Sequence, residues 1–189
     1  QLRTDHPEVD FFGVEPAVKP AAALSQTKRV GVMATPATLG SDKFLQLLQS
    51  LQGNTEFVLQ GCEGLADAIE QQCQEGDAAA VRALCEKYVQ AMGGFGNQPG
   101  EIDTLVLGCT HYPFALPVLR ALVGDQVNIL ETGLPVARQV KKVLGERGLL
   151  AVGDLPASSS SGEVGKVILL ATGDAQSLHR AAQMWLPPR

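Results

Sequence analysis

The residues best able to do chemistry stand together in LVLGCTHYPF, residues 105–114: an apolar run, a glycine, then Cys109, Thr110 and His111. A thiol two positions from an imidazole can form a Cys–His pair in which the ring takes or stabilises the thiol proton. The plainer account is a small hydrophobe packed at the end of a strand, since free cysteine is among the most buried residue types. Gly108 would allow close backbone approach to a ligand, and Thr110 adds a hydroxyl. Adjacent side chains of a strand point to opposite faces, so cooperation of these groups requires the chain to turn here, and Tyr112-Pro113 supplies turn chemistry. Zinc is disfavoured, because no CxxC or HxxxH pair accompanies Cys109 and His111, and His6 and His179 lie far away in sequence.

Other candidates are weaker by themselves. Thr35 and Thr38 flank Pro36 just after an apolar run, which fits either ordinary turn hydroxyl bonding or ligand contact. Glu70 beside Ile69 fits a solvated helix carboxylate or a site group, and Glu15 before Pro16 is equally ambiguous. Cys62 stands at a strand end, Cys85 falls on the apolar face of a helix, and Cys73 is expected in a Gln-rich turn.

The elements that must position these groups alternate in kind. Buried-strand patterns are predicted at 9–14 (VDFFGV), 30–35 (VGVMAT), 55–60 (TEFVLQ), 102–108 (IDTLVLG), 127–131 (VNILE) and 167–172 (VILLAT). Between them, Ser41 is expected to cap a helix burying Phe44, Leu47, Leu48 and Leu51, with Gly53 as the stop. GLADAIEQQ predicts a short helix. Asp77 is expected to cap another, burying Val81, Leu84, Cys85, Tyr88 and Met92 and ending at Gly93-Gly94. Thr132 opens a helix with Val136, Val140, Val143 and Leu144 inside. Residues 156–165 read as a polar loop, and a last helix is expected from Asp174 to Trp185. Continuous apolar strands separated by helices predict an α/β fold with parallel sheet covered on both faces. Ligands bind beyond the carboxyl ends of such strands, where Thr35–Thr38, Gly61-Cys62, Gly108–His111 and Thr132-Gly133 fall.

The composition excludes several classes. The 189 residues are 45% hydrophobic, 19% charged and only 5% aromatic, with a net charge of -5 and no basic stripe. A phosphate-backbone partner calls for clustered Lys and Arg, so no nucleic-acid role is expected. No apolar run is long enough to span a bilayer. The opening QLRTDHPEVD is unlike a signal peptide. Four cysteines without tight spacing favour a reduced, cytoplasmic protein over a disulfide framework. The first residue is not Met, so the chain is expected to begin within a longer protein.

DTLVLGCTHYPF closely resembles the second cysteine signature of the glutamate racemases, cofactor-independent enzymes that make D-glutamate for peptidoglycan. The resemblance continues through FFGVEPAVKPAA, VGVMATPATLGS, GCEGLADAIE, ILETGLPVARQV and ILLATGDAQSLHRAAQMWL, in that order and across essentially the whole chain. It implies a two-domain parallel-sheet sandwich of the Asp/Glu racemase type with its first domain incomplete: residues 22–136 as the second domain, 1–21 and 137–189 as the C-terminal part of the first, with apolar sheet surface exposed. The family's Asp-Ser-Gly loop and its first catalytic cysteine, in an Ala-Cys-Asn-Thr segment, have no counterpart here. By resemblance Cys109 is the second thiol, taking the proton from L-glutamate. His111 is then its polar assistant, Thr110 holds the α-carboxylate, Thr35 and Thr38 add substrate contacts, and Glu70 contacts or positions the substrate. The resemblance implies neither pyridoxal phosphate nor metal. It raises a homodimer and activation by a peptidoglycan nucleotide precursor as expectations, and it implies that this chain alone lacks turnover. Two other readings stay open: an aspartate racemase or related two-cysteine enzyme, and an inactive remnant or binding module for acidic ligands.

Overall fold

The computed structural model describes residues 2–51, 53, 55–150 and 168–186. A short helix α1 (Leu2–Asp5) and an extended stretch lead into α2 (Val18–Leu24) and the first strand, β1 (Arg29–Ala34). A one-turn helix α3 (Pro36–Leu39), helix α4 (Asp42–Ser50) and strand β2 (Glu56–Gly61) follow. Helices α5 (Leu65–Glu75) and α6 (Ala79–Met92) precede β3 (Thr104–Leu107). A 3-10 turn (Tyr112–Ala115), α7 (Leu116–Val123), β4 (Asn128–Leu130), α8 (Gly133–Glu146) and α9 (Ala175–Trp185) complete the described chain.

The four strands form one parallel sheet in the order β2-β1-β3-β4. The chain leaves β1 toward β2 on one side and returns to β3 on the other. The order of connection therefore reverses between β1 and β3, and in α/β sheets such a reversal is where ligands bind beyond the carboxyl ends of the strands. The loops that emerge there are Thr35–Thr38 from β1 and Gly108–His111 from β3.

Side-chain alternation explains why both faces are covered. On β3, Leu105 and Leu107 pack with Met33 into a core shared with Leu65 and Ile69 of α5 and with Cys85 and Tyr88 of α6. Val106 points the other way, joining Val30, Val32, Val18 and Phe44 beneath α2 and α4. Gly31 leaves room for the tip of Met92 from α6 against β1: a Cβ there would stand 2.6 Å from Met92 Cε and 3.3 Å from side-chain atoms of Ile102 and Leu105. At the amino end of β3, buried Asp103 accepts hydrogen bonds from Ser25 Oγ (2.6 Å), Gln26 N (2.6 Å), Thr27 N (2.9 Å) and Thr104 Oγ1 (3.0 Å). One carboxylate thus ties the turn before β1 to the start of β3.

Ser41 caps α4 as expected, whereas α6 begins from Ala78 with no side-chain cap and Asp77 bonds only the first helical N–H from just outside it. Ser41 Oγ accepts from Phe44 N at 3.3 Å, and Asp77 Oδ1 accepts from Ala79 N at 2.8 Å. Phe44, Val81, Cys85, Tyr88 and Met92 are buried, whereas Leu47, Leu48, Leu51 and Leu84 are half-buried.

Several expectations require correction. Residues 9–14 form no strand, because they pair with no ladder: the Phe11 carbonyl accepts from Arg3 Nη2 and Asp10 pairs with Arg147 at 2.7 Å. Residues 168–172 are likewise irregular, with Ile168 66% and Leu170 86% exposed. An apolar run specifies a preference for burial, but a strand also needs a partner to take its backbone hydrogen bonds. Val167 and the polar stretch 156–165 lie outside the described residues. Cys73 falls within α5, not in a turn. Helix α8 forms as expected, yet Val136, Val140, Val143 and Leu144 are only half-buried, since no sheet lies against that face among the described residues.

Candidate active site

Immediately after β3 the chain turns as the residue types required. Tyr112 N donates to the Cys109 carbonyl at 3.3 Å and Phe114 N to the His111 carbonyl at 3.0 Å. This turn brings side chains two positions apart onto one side: Cys109 Sγ lies 3.8 Å from His111 Nδ1. The other ring nitrogen, Nε2, is 2.7 Å from Glu70 Oε1 on α5. Cys109, His111 and Glu70 therefore form a line from half-buried thiol to solvent-facing carboxylate, with the Glu70 side chain 63% exposed. The carboxylate can only accept, so Nε2 carries the proton toward it and Nδ1 is left to face the thiol.

Gly108 has a different purpose from the one its type suggested. Its N–H donates to Met33 O at 2.7 Å. A Cβ there would meet Ala34 Cβ at 3.0 Å, Met33 O at 3.1 Å and Pro16 Cγ at 3.2 Å. The glycine lets β1 and the Pro16 stretch close upon the end of β3, and so seats Cys109.

On the neighbouring strand end, Thr35 caps α3. Its Oγ1 accepts from Thr38 N at 3.2 Å and lies 2.9 Å from Thr38 Oγ1. These two half-buried threonines and the Cys109 turn emerge from adjacent strands at the reversal of strand order. Thr110 is exposed on the same turn as Cys109.

The thiols of Cys62 and Cys85 have different surroundings. Burial, with Cys85 nearby, pushes the Cys62 thiol up to about 12, and burial pushes Cys85 up to about 11. Both are buried in the core, whereas Cys109 is partly open. Helix α9 packs on α5, and Trp185 meets Phe114 with ring centroids 4.6 Å apart. Beside the dyad is a cavity of about 430 Å³ lined by Ile69, Glu70, His111, Phe114, Leu178 and Trp185.

Sequence reasoning missed the buried bracket at Asp103 and two tyrosine hydroxyls that hold the turn before α5. Tyr88 was recognised only as a core residue and Tyr112 only as turn chemistry; a buried phenol must place its hydroxyl somewhere, which is the signal that could have drawn attention to both. Among the described residues, no set of three His, Cys, Asp or Glu groups converges to hold a metal ion, and no helix is long and apolar enough to cross a membrane.

The fold and site together define an α/β protein with Cys109, His111 and Glu70 in succession at the strand-order reversal of a parallel sheet. No family model matches the sequence. The glutamate racemase of Ectopseudomonas mendocina is 40% identical over 184 residues, covering 95% of this chain and 67% of the relative. That of Pseudomonas putida KT2440 is 46% identical over 154 residues, 80% of this chain and 55% of the relative. Among solved structures, glutamate racemase RacE1 of Bacillus anthracis matches with a TM-score of 0.65 at 23% identity, covering 89% of this chain and 57% of that one. The Escherichia coli glutamate racemase, in complex with L-glutamate and the activator UDP-MurNAc-Ala, matches with a TM-score of 0.63 at 24% identity over 76% of this chain and 53% of that one. These structures share the fold. The chain belongs to the glutamate racemase family, and it spans 55–67% of the length of these two sequence relatives.

Proposed function

We propose that Cys109 is one of two proton-transfer thiols in a cofactor-independent glutamate racemase. The observation that carries this reading is the Cys109–His111–Glu70 line, with successive separations of 3.8 and 2.7 Å, in a chain of this family. Racemisation removes the α-proton from one face of the substrate and delivers a proton to the other. The α-proton is very weakly acidic, so the carbanion-like transition state needs a preorganised polar site, and a thiol serves as base only as its thiolate. His111 Nδ1 takes the Cys109 proton, and Glu70 stabilises the resulting imidazolium through Nε2. The thiolate then takes the α-proton of L-glutamate, while a second thiol on the opposite face delivers its own; the reverse reaction exchanges their roles. Thr110 holds the α-carboxylate, and Thr35 and Thr38 contact the substrate from the end of β1.

The same reading assigns residues 22–136 to the second domain, and 1–21 with 137–189 to the first. Confinement of the four-stranded sheet to the interval from Arg29 to Leu130 supports that division. On the proposed reading the full-length protein acts in peptidoglycan precursor synthesis in the cytoplasm, as a homodimer responsive to a nucleotide-linked precursor. The activator named in the Escherichia coli complex supports the last point.

The test is Cys109→Ser in the full-length gene product, followed by L-glutamate racemisation and α-proton exchange in deuterium oxide. The expected loss in kcat is at least about 10²-fold, the usual scale for removing a positioned acid–base group. Unchanged turnover would overturn the assignment.

A further inference from the structure

Two buried phenols fix the turn that carries Glu70 toward His111. Tyr112 is fully buried next to His111 in sequence, and its hydroxyl donates to the Cys62 carbonyl at 3.2 Å. Tyr88, buried on α6, donates to the following carbonyl, Glu63, at 2.6 Å. These two carbonyls lie in the turn between β2 and α5. Gly64 then caps α5 at φ 74°, and no side chain caps the helix end. The Cys62 carbonyl also accepts from Leu65 N at 3.4 Å, so the two phenols brace from outside a turn that its own backbone closes only weakly. Glu70 lies less than two helical turns further along α5, so any tilt of the helix about this turn moves its carboxylate relative to His111.

We propose that Tyr112 is a positioning residue for the proton-transfer thiol: its hydroxyl joins the β2–α5 turn to the Cys109–His111 turn, keeping Glu70, His111 and Cys109 in line. The inference rests on the reading of Cys109 as a catalytic thiol. Burial, reinforced by the thiols of Cys62 and Cys109, pushes the Tyr112 phenol well above its ordinary value. It remains a protonated donor at any pH at which the site would work. Tyr88 adds a second hydrogen bond one carbonyl further on.

The variant to make is Tyr112→Phe, which keeps the ring and removes the hydroxyl. Folding is checked by circular dichroism. Iodoacetamide alkylation of Cys109 is followed against pH in the 189-residue chain, with peptide mass spectrometry separating its adduct from those of the other cysteines. The folded variant is expected to show an altered Cys109 pH profile. In the full-length gene product kcat should fall about tenfold with little change in KM, the scale of one lost buried hydrogen bond expressed in the transition state. A folded Tyr112→Phe chain with an unaltered Cys109 profile overturns the positioning role, because a merely structural hydroxyl would change only thermal stability. If Tyr112→Phe does not fold, Tyr88→Phe decides in the same assay, an unaltered profile again overturning the proposal. Absence of racemisation by the wild-type full-length product would instead overturn the catalytic reading, while the alkylation profile would still report whether the turn positions Cys109.

Discussion

In the proposed mechanism Glu70 acts on Cys109 only through His111, and its side chain is 63% exposed. Solvent screens such a carboxylate, so its contribution is smaller than that of a buried partner. Glu70→Gln keeps an acceptor for Nε2–H and removes the charge. The expected result is a kcat about tenfold lower in the full-length product, and slower alkylation of Cys109 at pH 7. Unchanged alkylation kinetics would show that the Glu70–His111 hydrogen bond has no part in activating the thiol. The thiol, hydroxyl and imidazole were legible in CTHYP, and the need for a turn followed from side-chain alternation. The partnership of Glu70 with His111 was not legible from spacing, because 41 residues separate them. Only the packing of α5 beside the turn after β3 brings them within hydrogen-bond reach.

At the level of elements, the strand ends are set by close contacts that admit no extra atom. Gly108→Ala would press a methyl against Ala34 Cβ, the Met33 carbonyl and Pro16, at 3.0, 3.1 and 3.2 Å. None is the free end of a flexible side chain, so relief requires movement of β1 or β3. A loss of about 1–3 kcal/mol by chemical denaturation is expected, the usual cost of overpacking, together with altered Cys109 reactivity. The amino end of β3 has its own device in Asp103. Burial raises its carboxyl, but hydrogen bonds from Ser25, Thr27, Gln26 and Thr104 outweigh that and hold it below the ordinary carboxylate range. A depressed folded value means that stability is present above the unfolded value of about 3.9 and is lost as pH falls through the folded one. Asp103→Asn should therefore destabilise the chain by about 2 kcal/mol at pH 7 and flatten the acid limb of its stability curve. An unchanged acid limb would assign it to other carboxylates. The strands at the centre of the sheet were legible as apolar runs. Asp103 was not, because a polar residue at a strand edge gives no sign of which distant donors will surround it.

For the molecule as a whole, apolar surface remains open along the segment before α9. Ile168 is 66% and Leu170 86% exposed, in a stretch that makes no strand among the described residues. Exposed apolar side chains in sequence promote association. Replacing both by glutamate should reduce concentration-dependent self-association in sedimentation velocity while leaving the unfolding transition of the four-stranded sheet unchanged. Persistent association would direct attention to another surface.

Composition, periodicity and motif determined by themselves the α/β class, six apolar runs of which four are the strands of the sheet, most of the helices, and Cys109 with His111 as candidate site residues. These features depend on local preference and on burial, which residue types record directly. The tertiary structure alone decided which apolar runs became strands, what crowds Gly108, and which carboxylate meets His111. Each depends on groups distant in sequence arriving within a few ångströms, and local pattern carries no record of that meeting. CTHYP supplied the thiol and its imidazole; the reversal of strand order between β1 and β3, and the turn braced by Tyr88 and Tyr112, gave them their surroundings.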